Sequence, residues 1–181
     1  ERGGQALVMT GASGSGKSTL AALLGERGWR LMGDEFALLD LADGTLHPFP
    51  RAVSLKNQSA TIIADIVAPE RMGPSLEGTP KGAIRHLRPR ADAIARMDEP
   101  AVPALILFPR YGADLAAATR PVGAAEVFVR LTQASTNYVA LGEAGFAALT
   151  RLVTTCPAGA VDYPDTGAAL ALVEELWGAR R

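Results

Sequence analysis

Residues 11–18 read Gly11-Ala12-Ser13-Gly14-Ser15-Gly16-Lys17-Ser18, which meets every fixed position of the phosphate-loop pattern G-x-x-x-x-G-K-[ST]. The glycines of such a loop let the backbone curl around phosphate oxygens with consecutive N–H groups pointing inward. The helix that follows adds the partial positive charge of its N-terminus. In this arrangement Lys17 reaches the β- and γ-phosphates of ATP and the Ser18 hydroxyl ligates Mg²⁺, and the nucleotide-binding stretch runs from Gly11 to Thr19. A Gly/Ser-rich turn that merely caps a helix is the bland alternative. The second group with chemistry in it is Asp34-Glu35. Phosphoryl transfer requires a group that takes the proton of the attacking hydroxyl and a ligand set for the metal. Adjacent residues of an extended segment point to opposite faces, so the two acids divide those roles. Asp34 reads as the general base and Glu35 as metal support, with the order open. Two solvated turn acids would be the alternative, against which the apolar flanks speak.

Elements of suitable type surround both groups. Ala6 to Thr10 reads as a buried strand, and Leu20 to Leu24 has helical spacing that ends near Glu26. Trp29 to Gly33 reads as a second strand that delivers Asp34. Asp43-Gly44 signals a hairpin with Thr45 to Phe49 returning, and Pro48 and Pro50 put that strand at an edge. Asn57 to Val67 reads as a short helix and Pro69 to Pro80 as a surface loop. Ala101 to Phe108 is a continuous apolar run suited to a strand buried on both faces. Helices are expected over Ala124–Leu131, Glu143–Thr154 and Thr166–Trp177, with a strand at Gly159–Tyr163. The order implies an α/β fold, a parallel or mixed sheet with flanking helices and a β-hairpin.

Composition narrows the class. The chain has 181 residues, 48% apolar and 20% charged, which suits a single globular catalytic domain with a real core. A net charge of −1 gives no global field for nucleic acid. The local excess of base from Lys81 to Arg96 suits a solvated face or groups facing a phosphate. Cys156 alone cannot build a disulfide framework. No apolar run is long enough to cross a membrane and no signal peptide is visible, so a cytoplasmic location is expected. The chain opens at Glu1-Arg2-Gly3-Gly4, without an initiator Met and almost directly on the first strand, which points to a missing natural N-terminal part.

The loop followed by Glu26-Arg27-Gly28-Trp29-Arg30-Leu31-Met32-Gly33-Asp34-Glu35 resembles the HPr kinase/phosphorylase family, where a similar loop precedes R-G-h-R-L-h-x-D-D. Phe49-Pro50-Arg51, Val53 to Asn57, Thr79 to Gly82, Phe108 to Tyr111, Thr136 to Tyr138 and Leu141 to Phe146 resemble its divergent group A of HPr-kinase-related kinases. The resemblance spans nearly the whole chain. It implies a P-loop kinase domain of the HPr kinase/phosphoenolpyruvate carboxykinase type. That domain would transfer the γ-phosphoryl group of ATP to a serine-type hydroxyl of a protein or peptide, in an assembly that can be homo-oligomeric. Asp34 matches the family's catalytic base, Glu35 replaces its second acid, and Thr19 stands where the classical enzymes have Glu. The long signature those enzymes carry after the acidic pair is absent, which speaks against phosphorolysis and against HPr itself as acceptor.

Four basic residues lie in the family-like strings: Lys56, Lys81, Arg88 and Arg110. Arg110 follows the apolar strand at its C-terminal end, where α/β sites gather, and is the candidate to spread charge together with Lys17. Lys81 sits in a Pro-Lys-Gly turn, and Lys56 and Arg88 are further candidates for phosphate or substrate contact. A surface charge or ion pair is the alternative for each. His47 and His86 read as structural. Two other functions stay open. One is a small-metabolite kinase for a sugar or sugar acid, with Lys81–Arg96 as a lid. The other is a nucleotide-gated binding module with little turnover.

Overall fold

A strand with apolar residues on both faces must be covered on both sides, and Leu105 to Phe108 meets that condition with every side chain buried. The computed structural model of the chain describes residues 1–80 and 82–180. In chain order the elements are β1 (Gln5–Met9), α1 (Lys17–Gly25), β2 (Leu38–Leu39), β3 (Leu46–His47), β4 (Val53–Lys56), α2 (Gln58–Ala64), β5 (Leu76–Thr79), β6 (Gly82–Leu87) and α3 (Ala91–Ala95). They continue with β7 (Val102–Tyr111), β8 (Ala118–Pro121), α4 (Ala124–Ala134), α5 (Tyr138–Thr155), β9 (Ala158–Tyr163) and α6 (Thr166–Ala179). The central sheet has the order β1-β7-β9-β8. β1, β7 and β9 are parallel and β8 is antiparallel, so the protein is an α/β fold with a mixed sheet.

Alternation along β7 sorts the core into two layers. Leu105 and Leu107 join Val161 and Tyr163 of β9 beneath α1 and α6, whose Leu20, Leu23, Leu170 and Val173 close that side. Ile106 and Phe108 face the other way and meet Val127 of α4 and Leu152 of α5. The α6 N-terminus is capped by Asp165, whose side chain accepts from the Ala168 N–H at 2.8 Å. Helix α5 breaks at Gly142 (φ 54°, ψ −128°), which is why the sequence periodicity starts at Glu143 and not at Tyr138. Among the described residues no helix is long and apolar enough to cross a membrane.

Three expectations are corrected. Trp29 to Gly33 forms no strand. Side chains hold that segment in place of a ladder: Trp29 and Arg30 are each 3% exposed, and the Arg30 Nε donates to Glu1 Oε2 at 2.7 Å. Two further Arg30 nitrogens donate to the carbonyls of Arg96 (2.6 Å) and Glu99 (2.9 Å). The segment read as a loop, Pro69–Pro80, contains a 3-10 turn and β5. The stretch read as a candidate lid is β6 and α3, with β6 central in an antiparallel sheet of order β4-β6-β5. Both faces of that error have one cause. Val53, Leu55 and Leu87 are buried in the same core cluster as α1, but β5 buries no side chain and β6 only Leu87, so no apolar run or alternation marks those strands. The expected β2–β3 hairpin forms, reduced to two residue pairs.

Arg30 is buried with its charge paired, so truncation removes the close partner of the buried Glu1 carboxylate and leaves it only Arg96 at 3.6 Å and the Gly4 N–H. Arg30→Ala is expected to lower stability by about 3–5 kcal/mol, measured by urea unfolding. Cys156 is buried and its thiol is pushed up to about 11 by desolvation, so it stays neutral at ordinary pH. Native protein at pH 8 is expected to resist alkylation, and urea-unfolded protein to react at the rate of a free thiol.

Candidate functional site

The loop is fixed at both ends by the sheet. At its start the Thr10 N–H donates to the Leu107 carbonyl at 3.1 Å, and inside it the Ser15 N–H donates to the Ala12 carbonyl at 3.3 Å. Gly14 (φ 84°) and Gly16 (φ 96°) take conformations that side chains disfavour. At Gly16 space alone would demand glycine, because a Cβ would stand 2.2 Å from the Tyr163 hydroxyl oxygen. Gly16 is also the N-cap of α1 and supplies no side-chain cap, and the first turn holds no acid. The first backbone bond into the helix is Leu20 N–H to the Gly16 carbonyl at 2.9 Å. Among the described residues the N–H groups of Lys17, Ser18 and Thr19 have no protein acceptor, while Gly11 to Gly14 are exposed. Unpaired donors at the start of a helix whose first turn carries no acid favour an anion.

Lys17 folds back on the loop. Its Nζ donates to the carbonyls of Gly11 (2.8 Å) and Ala12 (2.7 Å) and lies 3.4 Å from Ser15 Oγ. Burial lowers its pKa from the usual lysine value, the nearby Asp34 carboxylate opposes that, and the nearby Lys56 ammonium reinforces it. Lys17, Asp34 and Lys56 therefore share one neighbourhood, although they come from α1, from the segment after Gly33 and from β4. Asp34 is held from β4, where the Ser54 N–H donates to its Oδ2 at 3.2 Å. Lys17 and Asp34 line one cleft with Met9, Met32 and Phe36.

The acids sit in a bend, not at the end of a strand, and the bend is tight: a Cβ on Gly33 would lie 2.8 Å from the Phe36 carbonyl oxygen. The two side chains still part company. Glu35 pairs with Arg51 at 3.2 Å, both side chains being more than half exposed, so the pair contributes little to stability. Arg110 is placed by its register opposite Asp162 of β9. Its Nε donates to Asp162 Oδ1 at 2.9 Å, its Nη2 bonds the other oxygen, and the pairing raises the arginine's pKa and lowers the aspartate's. Arg110 follows Ile106 and Phe108 on the sheet face away from α1. Arg88 is exposed, and its N–H donates to the Arg71 carbonyl at 2.8 Å. Arg71 in turn pairs with Glu26 at 2.7 Å, at the C-terminal end of α1. A helix of 9 residues separates that end from the loop, about 13 Å. The structure thus brings Lys17 and Asp34 to one cleft and puts Lys56 within electrostatic range of Lys17, but Arg88 lies away from them. Lys81 lies outside the described residues.

Sequence reasoning missed the groups that hold the loop and the acid. The Tyr163 hydroxyl and the Tyr111 N–H both donate to the Ser15 carbonyl, each at 3.2 Å. Those partners are distant in sequence from the loop and carry no local pattern. Ser54 acts through its backbone, which no residue type reports.

The donor set suits a triphosphate with its magnesium. The amides of Lys17, Ser18 and Thr19 and the Ser18 side chain belong to the first turn of α1, where the Gly16 position leaves no room for a side chain. Among the described residues no group of three or more His, Cys, Asp or Glu side chains could hold a metal ion. An ion that arrives on phosphate oxygens needs only one or two protein ligands, and Ser18 with one carboxylate can supply them.

In comparison with known proteins, no family model, no curated protein and no solved structure matches the chain.

Gly16→Ala would force a side chain into a positive φ and against Tyr163. It is expected to cost about 1–3 kcal/mol, read from thermal or urea unfolding of nucleotide-free protein.

Proposed function

We propose that this chain is an ATP-dependent phosphotransferase that moves the γ-phosphoryl group to a serine-type hydroxyl of a protein or peptide. One observation carries the reading: Lys17 and the Asp34 carboxylate line a single cleft beside a helix start with unpaired donors. Phosphoryl transfer asks the protein chiefly to position its reactants and to neutralise charge, and these groups suit that task.

In this reading the triphosphate replaces the loop carbonyls as the partner of Lys17, and the free amides of Lys17 to Thr19 bind its oxygens. Ser18 and Glu35 would hold magnesium, which supplies charge neutralisation across the β- and γ-phosphates. Asp34 keeps Oδ2 on the Ser54 N–H and offers Oδ1 to the acceptor. The acceptor oxygen bonds to the γ-phosphorus as the bond to the bridging oxygen breaks, ADP departs, and the hydroxyl proton passes to Asp34. Lys56, whose charge is felt at Lys17, takes the second-cation role. Arg110 is already committed to Asp162, so it serves only if that pair opens.

The surroundings of Asp34 favour a peptide over a sugar or sugar acid. Phe36, Leu38 and Phe49 follow or flank the acidic bend and are 47%, 43% and 44% exposed. The Phe49 N–H donates to the Met32 carbonyl at 2.6 Å, which ties that residue to the same segment. An apolar rim suits the side chains beside an acceptor serine, whereas a sugar acid calls for cations and hydrogen-bond donors.

Purified protein with magnesium ATP, offered serine peptides and a panel of sugars and sugar acids, tests the reading. Turnover of a sugar or sugar acid at ordinary kinase rates would replace it, and ATP binding without transfer to any acceptor would leave a nucleotide-gated module. Lys17→Ala is expected to reduce both ATP affinity and turnover. Asp34→Asn is expected to lower kcat by about 10²- to 10⁴-fold with a much smaller change in ATP affinity. Equal losses in both would make Asp34 a metal ligand.

A further inference from the structure

The Ser15 carbonyl accepts two hydrogen bonds from outside the loop, one from the Tyr163 hydroxyl of β9 and one from the Tyr111 N–H of β7, both at 3.2 Å. A peptide unit is planar and trans, so its C=O and N–H point in opposite directions. Fixing the Ser15 oxygen therefore fixes the Gly16 N–H, which is turned away from the tyrosines. The Tyr163 ring also occupies the space in front of Gly16, with its hydroxyl 2.2 Å and its ring carbon 3.2 Å from where a Cβ would sit. The two tyrosine rings stand 6.0 Å apart at 43°, and Tyr163 is buried.

We infer that Tyr163 is a positioning residue for the phosphate site: its hydroxyl locks the Ser15–Gly16 peptide so that the Gly16 amide is aimed at an anion before the anion arrives. The inference rests on the proposed binding of ATP by this loop. Tyr163 never touches the nucleotide in this role. It lowers the cost of ordering the loop and so acts on affinity. Burial, with Tyr111 beside it, pushes the Tyr163 phenol up to about 12, so the hydroxyl remains a donor over the whole working pH range.

Tyr163→Phe removes the hydroxyl and keeps the ring. The Ser15 carbonyl retains its bond to the Tyr111 N–H, so no buried acceptor is orphaned and the unfolding midpoint of the nucleotide-free protein is expected to hold. Loss of one ordinary hydrogen bond that acts only through preorganisation is expected to raise the Kd for magnesium ATP by about 3- to 10-fold in calorimetry. In turnover the KM for ATP should rise while kcat at saturating ATP holds. Amide hydrogen exchange of Tyr111, whose N–H donates to the same Ser15 carbonyl, is expected to quicken severalfold in the nucleotide-free protein. A lowered unfolding midpoint with unchanged Kd and exchange would reduce Tyr163 to a packing residue and overturn the inference, as would unchanged values of all three. The two readings fail separately. Wild-type protein that binds no triphosphate removes the proposed function, whereas wild-type binding matched by Tyr163→Phe with unaltered exchange removes only the role of Tyr163.

Discussion

Backbone donors left without acceptors at the start of α1 are the constraint around which the rest of the chain is arranged. A helix always begins with unpaired N–H groups, and a Ser, Thr, Asp or Asn side chain can cover one of them, as Asp165 does for α6. Here Gly16 stands at the cap and cannot do so. Lys17 spends its charge on the carbonyls of Gly11 and Ala12, which adds positive charge beside donors that are already electropositive. A folded chain tolerates such an imbalance only where solvent or an anion reaches it, and the exposure of Gly11 to Gly14 meets that condition.

Holding this loop requires stiff material behind it, and β7 provides it. Its buried run packs α1 and α6 on one face and α4 and α5 on the other. The same strand then leaves the core at its C-terminal end, where Tyr111 turns to the loop and Arg110 turns to Asp162. Arg110 thus gives its side chain to β9, while its neighbour Tyr111 gives its backbone N–H to the loop. The acid is positioned by other means. Buried Arg30 fixes the approach of the segment, the tight bend at Gly33 turns it, and the Ser54 N–H receives the Asp34 carboxylate.

The parts of this arrangement that were legible in the sequence are those built from local pattern. β1, α1, β9, α6 and the restart of α5 after Gly142 each combine an apolar run with a recognisable boundary residue. Asp34 was legible as a candidate because its residue type and setting announce chemistry. The small sheet of β4, β5 and β6 was hidden, because β5 buries no side chain and β6 only Leu87, so neither shows the apolar run or alternation that marks β1 and β9. Trp29 to Gly33 carries large apolar side chains around Arg30, and that composition is the same whether the stretch pairs in a ladder or is pinned by one buried guanidinium. Arg110 was placed correctly at a strand end, but its partner Asp162 lies across the sheet and leaves no local trace. Contacts such as Tyr163 to Ser15 are long-range by nature, and single-sequence reasoning has no access to them.

Those long-range ties have a consequence for how the protein is made. Residues 10–18 are near the beginning of the chain, yet their anchors lie at Leu107, Tyr111 and Tyr163. Closing such large loops carries an entropic cost that is recovered only when the distant partners have arrived. During vectorial synthesis the strand, turn and helix around Lys17 can form early, but their final shape waits for β9 to emerge. The loop between β1 and α1 is thus completed only after β9 has been synthesised.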